Sequence, residues 1–406
     1  QLPAQLNVYP LLLQDAGYRI GHGGKSYGPG SLDNRDQHPA GPGFGPGING
    51  LANFLDEQPN NTPFCYWLGS HDPHRPYDHN AGQDAGIDPD RVHLFSHFPD
   101  TPAVRNDIAD YYSEVQRFDR LVANALNQLE QRGILDDTLI VVTGDHGMPF
   151  PRCKGNLYDA GTRVPLVVRF PGGVGAPGSA TDALVSLTDL APTFLDAAGL
   201  TAPDDMTGRS LLPILAATDD ADVEWRESIV FGRERHTSCR EAPITGGYPS
   251  RAIRTDRWLY IQNLEPTRWP AGTPHPDRAL PLPHRNNIRG WLGDCDNGPA
   301  KFVVYTHRNT PGYEQYWQLC FAKRPAEELY DLYNDPDALN NLAAPEHAAE
   351  YQDITHTLRD NLTAYLLSTA DPRALPDGDT TDFEQDPYTG GTNTRPGNET
   401  LDRYAP

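Results

Sequence analysis

Short, almost continuously apolar runs that end in glycine or polar turns, alternating with stretches of helical periodicity, leave this chain few architectures. The runs are Phe64-Cys65-Tyr66-Trp67-Leu68, Thr138-Leu139-Ile140-Val141-Val142, Val164-Pro165-Leu166-Val167-Val168 and Ser228-Ile229-Val230-Phe231. Each is rich in β-formers and has the length of a strand. Between the first two, Thr101 to Arg132 places Val115, Phe118, Leu121, Val122, Ala125 and Leu129 at helical spacing, and Gly133 supplies a stop. Strands that are apolar on both faces need helices on both faces. The pattern therefore predicts an α/β fold with a mainly parallel or mixed central sheet flanked by helices. In such sheets ligands collect at the carboxyl ends of the strands.

The grammar changes near Glu227. Arg251 to Asn263 alternates as an exposed strand does, Lys301 to Tyr305 reads as a further strand, and Ala348 to Leu367 reads as a closing helix. Trp269 to Gly298 is rich in Pro, Gly and Asn and reads as a long structured loop. From Asp371 the chain is polar and punctuated by Pro and Gly, which suits a surface wrap or disorder. The expected division is an α/β domain over 1–226, a smaller α+β subdomain over 227–370 with antiparallel strands and the closing helix, and a polar extended tail over 371–406.

With 406 residues and a net charge of -22, the chain can bury a substantial core and is poorly suited to capture nucleic acid or an anionic membrane. It holds no apolar run of about 18 residues, so a transmembrane helix is not expected. The five cysteines are too scattered for a zinc ribbon, and their odd number leaves at least one thiol without an intrachain partner. Cys295 and Cys320 are the candidate bridge. Asn60, Asn361 and Asn398 stand in glycosylation sequons. Gln1-Leu2-Pro3-Ala4 is neither an initiator methionine nor a signal peptide, so a preceding segment is expected.

Several polar clusters follow the apolar runs. Gly144-Asp145-His146-Gly147 comes directly after one strand, where a carboxylate beside an imidazole can ligate a metal and glycines allow a sharp turn. An ordinary strand-end turn uses the same residue types. Lys154, nine positions after Asp145, can stabilise negative charge on a transferring oxyanion if it is held near the metal. Ser70-His71-Asp72-Pro73-His74-Arg75 sets two imidazoles and a guanidinium on a proline-stiffened loop, suited to proton donation and anion contact. Gly21-His22-Gly23-Gly24-Lys25-Ser26 hints at a nucleotide loop, but Arg19 stands where that motif needs glycine, and the nucleotide reading falls. Gly232-Arg233-Glu234-Arg235-His236 mixes cations, a carboxylate and an imidazole in a way that suits sugar hydroxyls and a second anionic group, or a surface salt-bridge cluster.

Taken in order, these segments resemble the sulfatase family of the alkaline-phosphatase-like superfamily, and within it the heparan N-sulfatase-like and polysaccharide sulfatases. The resemblance runs from Leu11–Arg19 and Gly24-Lys25, through His71-Asp72-Pro73-His74-Arg75 and Asp145-His146-Gly147 with Lys154, to Thr207-Gly208-Arg209 and Glu328-Leu329-Tyr330-Asp331-Leu332. It implies that Asp145 and His146 ligate a divalent cation, calcium in most members, and that Lys25, His71 and Lys154 act on the sulfate. His71 or a neighbour would assist departure of the sugar hydroxyl or amine. His74, Arg75, Arg235 and His236 are the expected substrate contacts, and a sulfated carbohydrate is the expected partner. Many members carry a histidine two residues after the first lysine, where this chain has Tyr27.

The family's nucleophile, a formylglycine made from Cys or Ser in Cys/Ser-x-Pro/Ala-x-Arg, and its paired upstream aspartates have no match here. Both are expected on a supersecondary unit of about 30 residues or more before Gln1. A periplasmic, secreted or lysosome-like location goes with the same resemblance. A phosphoester or phosphonate hydrolase on the same scaffold, and a non-catalytic carbohydrate-binding relative, are the competing readings.

Overall fold

The computed structural model describes residues 2–27, 32, 35–59, 61–218, 223–236, 239, 247–274 and 292–385. Gly28, Asn60 and Asn398, most of the 269–298 loop and the end of the tail lie outside the described residues. The chain forms two compact units, one of residues 1–74, 114–143 and 166–226, the other of 75–113, 144–165 and 227–406. The break after Arg226 coincides with the change of grammar in the sequence, whereas 75–113 and 144–165 join the second unit.

In the first unit, β1 (Arg19–Gly24) and β2 (Phe64–Gly69) pair in parallel, from Arg19 opposite Phe64 to Gly24 opposite Gly69. The helix Gly47–Asp56 covers them with Leu51, Phe54 and Leu55, which pack with Leu129, Phe44, Tyr66 and Ile140. Phe54 is fully buried, and burial of such a side chain contributes about 2–3 kcal/mol. β3 (Ile140–Thr143) and β4 (Leu166–Arg169) pair antiparallel. Parallel pairing among the described strands is therefore confined to β1 and β2, and the sheet content is mixed. Ser186 and Asp189 form a capping box ahead of the helix Leu190–Ala197. The buried Asp189 carboxylate also takes both ends of the Arg226 guanidinium, at 2.7 and 2.9 Å, and the backbone N–H of Arg209 at 2.8 Å.

The second unit is built on an antiparallel sheet of β5 (Ser228–Arg233), β6 (Ser250–Thr255), β7 (Trp258–Asn263) and β8 (Glu327–Asp331), in that spatial order. One face packs Ile253, Tyr260 and Leu329 against Leu358, Leu362 and Leu366 of the helix Gln352–Ser368. The other packs Ala252, Leu259, Ile261 and Tyr330 against Leu157 and Tyr158. A second core joins Val104, Ile108 and Ala109 of the long helix Pro102–Gln131 to Phe98, Phe150, Val304 and Phe321.

Three sequence expectations are corrected here. Arg251 to Asn263 is two central strands rather than one exposed strand, because its polar members are paired: Arg251 with Glu234 and Asp371, Arg254 with Asp159. Lys301 to Tyr305 lies in a helix, Pro299–Thr306. Pro299 pre-sets the first turn, and burial of Ala300, Val303 and Val304 in the core outweighs the β-propensity of the two valines. Cys295 and Cys320 form no bridge, as all five cysteines are thiols. Cys320 instead points its Sγ at the His97 carbonyl, 3.3 Å away, and burial pushes its thiol up to about 12. The described start of the tail is tied down, Asp371 by Arg251 and Glu384 by Arg268 and Arg373. Among the described residues no helix is long and apolar enough to cross a membrane.

Candidate active site

In the first unit the ends of β1 and β2 bring two of the expected residues onto neighbouring loops. The Lys25 N–H donates to the Gly69 carbonyl at 3.3 Å, and the Trp67 indole donates to the Lys25 carbonyl at 3.0 Å. A Cβ at position 69 would sit 1.6 Å from the Lys25 carbonyl oxygen, so only glycine lets the two strand ends come this close. Beyond them Lys25 and His71 are both exposed. The His71 loop is braced by the Asp72 N–H, which donates to Ser70 Oγ at 3.0 Å, and by Arg117, which donates to the Asp72 carboxylate at 2.9 and 3.3 Å. Close by, His38 Nε2 lies 3.2 Å from Ser26 Oγ and its ring stacks on His22. Burial, then the neighbouring His22, lowers its pKa.

In the second unit, the Gly147 N–H donates to the Gly161 carbonyl at 2.9 Å, which folds the Asp145-His146 turn onto the segment before β4. His146 Nδ1 lies 2.7 Å from the Gly147 carbonyl. A carbonyl can only accept, so Nδ1 carries a proton and a neutral ring would offer Nε2 to a metal. That Nε2 lies 3.5 Å from Asp145 Oδ1, a spacing one cation can bridge. The pair fits part of a divalent-cation site. Calcium takes about 6–8 oxygen ligands, and among the described residues no three His, Cys, Asp or Glu side chains converge as a cage.

Lys154 is held by its backbone, whose N–H donates to the Met148 carbonyl at 3.1 Å. Its Nζ donates to Asp296 Oδ2 at 2.9 Å, with the two side chains only 10% and 14% exposed. Next to it, His236 Nδ1 donates to the Asp294 carbonyl at 3.0 Å, which orients the ring with Nε2 on its other side. Gly155 allows this approach: it sits at φ +75°, and a Cβ there would meet His236 Nδ1 at 3.3 Å. Lys154, His236, Asp294 and Asp296 thus form one polar wall. Sequence reasoning found the first two residues and missed the aspartates, which come from a proline- and glycine-rich segment without periodicity.

The other expected substrate contacts have different roles in this geometry. Arg75 is turned inward, with both guanidinium ends on the Asp107 carboxylate at 2.8 Å and the planar group over the rings of Tyr77 and Phe150. Burial alone would lower its pKa, but Asp107 raises it, so the group stays charged. Arg233 braces the carbonyls of Gly155, Tyr248 and Pro270, Glu234 pairs with Arg251 and Arg373, and Arg235 donates to the Phe383 carbonyl. Arg75 and Arg235, both expected as substrate contacts, thus each have a protein partner in this structure, the Asp107 carboxylate and the Phe383 carbonyl. His74 is half-buried, and its N–H donates to the His71 carbonyl at 2.7 Å.

Comparison with known proteins adds a separate line. A family model described as Sulfatase matches residues 48–200, and one described as N-sulphoglucosamine sulphohydrolase, C-terminal, matches 144–269. The chain is 31% identical to human N-sulphoglucosamine sulphohydrolase, over 91% of this chain and 75% of that protein. It is 29% identical to an ulvan-active sulfatase of Formosa agariphila, over 74% of this chain but only 44% of the relative. Among solved structures, BT4656 in complex with its substrate D-glucosamine-2-N,6-O-disulfate superposes with a TM-score of 0.58 at 19% identity, over 91% of this chain and 83% of that one. At that identity the likeness concerns the fold, which is the α/β type expected.

Proposed function

This chain belongs to the sulfatase family, and on that premise we propose that it acts as a sulfuric ester hydrolase on a sulfated carbohydrate, a polysaccharide or its oligosaccharides. The observation that carries the reading is the wall of Lys154 and His236. A nearly buried ammonium is suited to meet charge that grows on a sulfate oxygen, and an imidazole oriented through its Nδ1 is suited to hold a sugar hydroxyl. The likeness to human N-sulphoglucosamine sulphohydrolase supports an N-sulfated glucosamine as the first substrate to try.

Sulfatases work with a metal and a formylglycine. In this chain Asp145 and His146 would hold the cation, calcium by the family's habit, and a cation there supplies polarisation of a sulfate oxygen. Lys25 and His71 carry the family's expectation of sulfate contact, with His71 assisting the leaving group. An extracytoplasmic location, periplasmic, secreted or lysosome-like, goes with this proposal, because a polyanionic sugar does not cross a lipid bilayer unaided.

The test is release of inorganic sulfate, read by ion chromatography, from N-sulfoglucosamine, O-sulfated oligosaccharides and an aryl sulfate, beside aryl phosphate and phosphonate controls. Sulfate release from the sugars is the expected result. Faster turnover of the phosphorus esters would replace this reading with the phosphohydrolase one, and no turnover with sugar binding would favour the non-catalytic relative.

A further inference from the structure

The loop Leu292–Asn297 owes its course to one buried side chain. Lys301 is 2% exposed, and its Nζ donates to the carbonyls of Leu292 and Cys295 and to Asn297 Oδ1, at 2.9, 2.8 and 2.9 Å. Three donors on one ammonium thus span both ends of the loop. The helix that carries Lys301 is itself anchored, since the Ala300 N–H donates at 3.0 Å to Asp107, the carboxylate already held by Arg75. The loop in turn delivers the Asp296 carboxylate to Lys154 and the Asp294 carbonyl to His236.

An anion that approaches Lys154 therefore finds the ammonium already partnered. We propose that Asp296 is a counter-ion that limits the affinity of Lys154 for sulfate, and that Lys301 is the positioning residue that keeps it there. The inference rests on the reading of Lys154 as a sulfate contact. A sulfatase makes inorganic sulfate at every turnover, and a lysine without a competing carboxylate would bind that product more tightly. Inorganic sulfate is a dianion whereas the sulfate group of an ester carries a single charge, so a carboxylate beside Lys154 opposes the product more than the substrate. A purely structural lysine and a positioning lysine predict opposite signs. Loss of a nearby cation alone weakens anion binding, whereas release of Asp296 from Lys154 strengthens it.

The probe is inorganic sulfate, titrated by calorimetry into the full protein that carries this chain, so that no turnover is needed. Asp296→Asn keeps a hydrogen-bond acceptor and removes the charge, and should tighten the sulfate Kd by about fivefold or more. Lys301→Met should also tighten it, and the double variant should bind no more tightly than Asp296→Asn, since both changes act through one carboxylate. Asn297→Ala, which removes one of the three acceptors and leaves every charge in place, should move the Kd in the same direction by a smaller factor and serves if Lys301→Met does not fold. Weaker or unchanged sulfate binding in Lys301→Met and Asn297→Ala, with Asp296→Asn tightened, overturns the role of Lys301. Unchanged binding in Asp296→Asn overturns the counter-ion role. A wild-type Kd that Lys154→Met leaves unaltered defeats the sulfate-contact reading itself, a result distinct from the others.

Discussion

Replacing Lys154 by methionine removes the ammonium and keeps most of the aliphatic stem, so two separate effects can be worked out. The first is on stability. Asp296 would lose its ion pair with Lys154 at 2.9 Å while remaining 14% exposed. Breaking a fully buried pair costs about 3–5 kcal/mol, and the residual exposure here reduces that to about 1–3 kcal/mol. The second is on turnover: loss of one preorganised donor to a developing oxyanion lowers kcat about 100- to 1,000-fold. Urea unfolding measures the first, and steady-state sulfate release from an aryl sulfate measures the second. Adding Asp296→Asn to Lys154→Met separates them, because it removes the carboxylate charge that had faced the ammonium and should recover stability without restoring kcat. A Lys154→Met enzyme whose kcat stays within about threefold of wild type would refute the reasoning, whatever its stability.

Three further outcomes are expected. Asp145→Ala should lose both turnover and bound divalent cation while the fold persists, and normal metal content by elemental analysis would remove Asp145 from the ligand set. His236→Ala should weaken hydrolysis of a sulfated oligosaccharide more than that of an aryl sulfate, because the aryl ester lacks the remote hydroxyls, whereas Arg235→Ala should leave the ratio of the two kcat/KM values unchanged; a larger ratio change in Arg235→Ala would reverse the assignments made from their bonding. Asp331, whose carboxylate the Arg257 guanidinium holds down at about 2 against an ordinary 3.8, contributes stability that is complete above pH 3.8 and is lost as pH falls through about 2. Asp331→Asn should accordingly be less stable than wild type in urea at neutral pH, with a gap that closes toward pH 2, and a gap independent of pH would exclude that linkage.

Much of the fold is visible in the sequence because its signals are local. The apolar runs at Phe64, Thr138 and Ser228 ended as strands, and the helical spacing from Val115 to Leu129 ended as the helix Pro102–Gln131. Lys25 and His71 could be placed on strand-end loops because a glycine or a polar turn follows each run. Asp296 could not, since its relation to Lys154 is made by a contact between segments far apart in sequence. The partner of Arg75 was equally hidden. Its carboxylate, Asp107, lies on the helix Pro102–Gln131, and local spacing carries no information about such a partner. Arg251 and Arg254 likewise read as solvent-facing until their half-buried acidic partners are known.

The order of the strands in the second unit has a consequence for how the wall of Lys154 comes into being. β6 and β7 are joined by a tight turn and can zip together as soon as both are made. β8 pairs with β7 only after the long excursion from Leu264 to Ala326 has closed, and that excursion contains Asp294, Asp296 and Lys301. Closing so long a loop is entropically slow, and its return is sealed at Asn263, whose backbone N–H reaches the Ala326 carbonyl at 2.8 Å and whose side chain reaches the Pro325 carbonyl at 2.9 Å. On this topology the counter-ion of Lys154 is expected to take its place after the hairpin has formed. A chain arrested before β8 docks would carry a formed hairpin and a Lys154 without Asp296, and Asn263 fastens the return of the excursion that brings the two together.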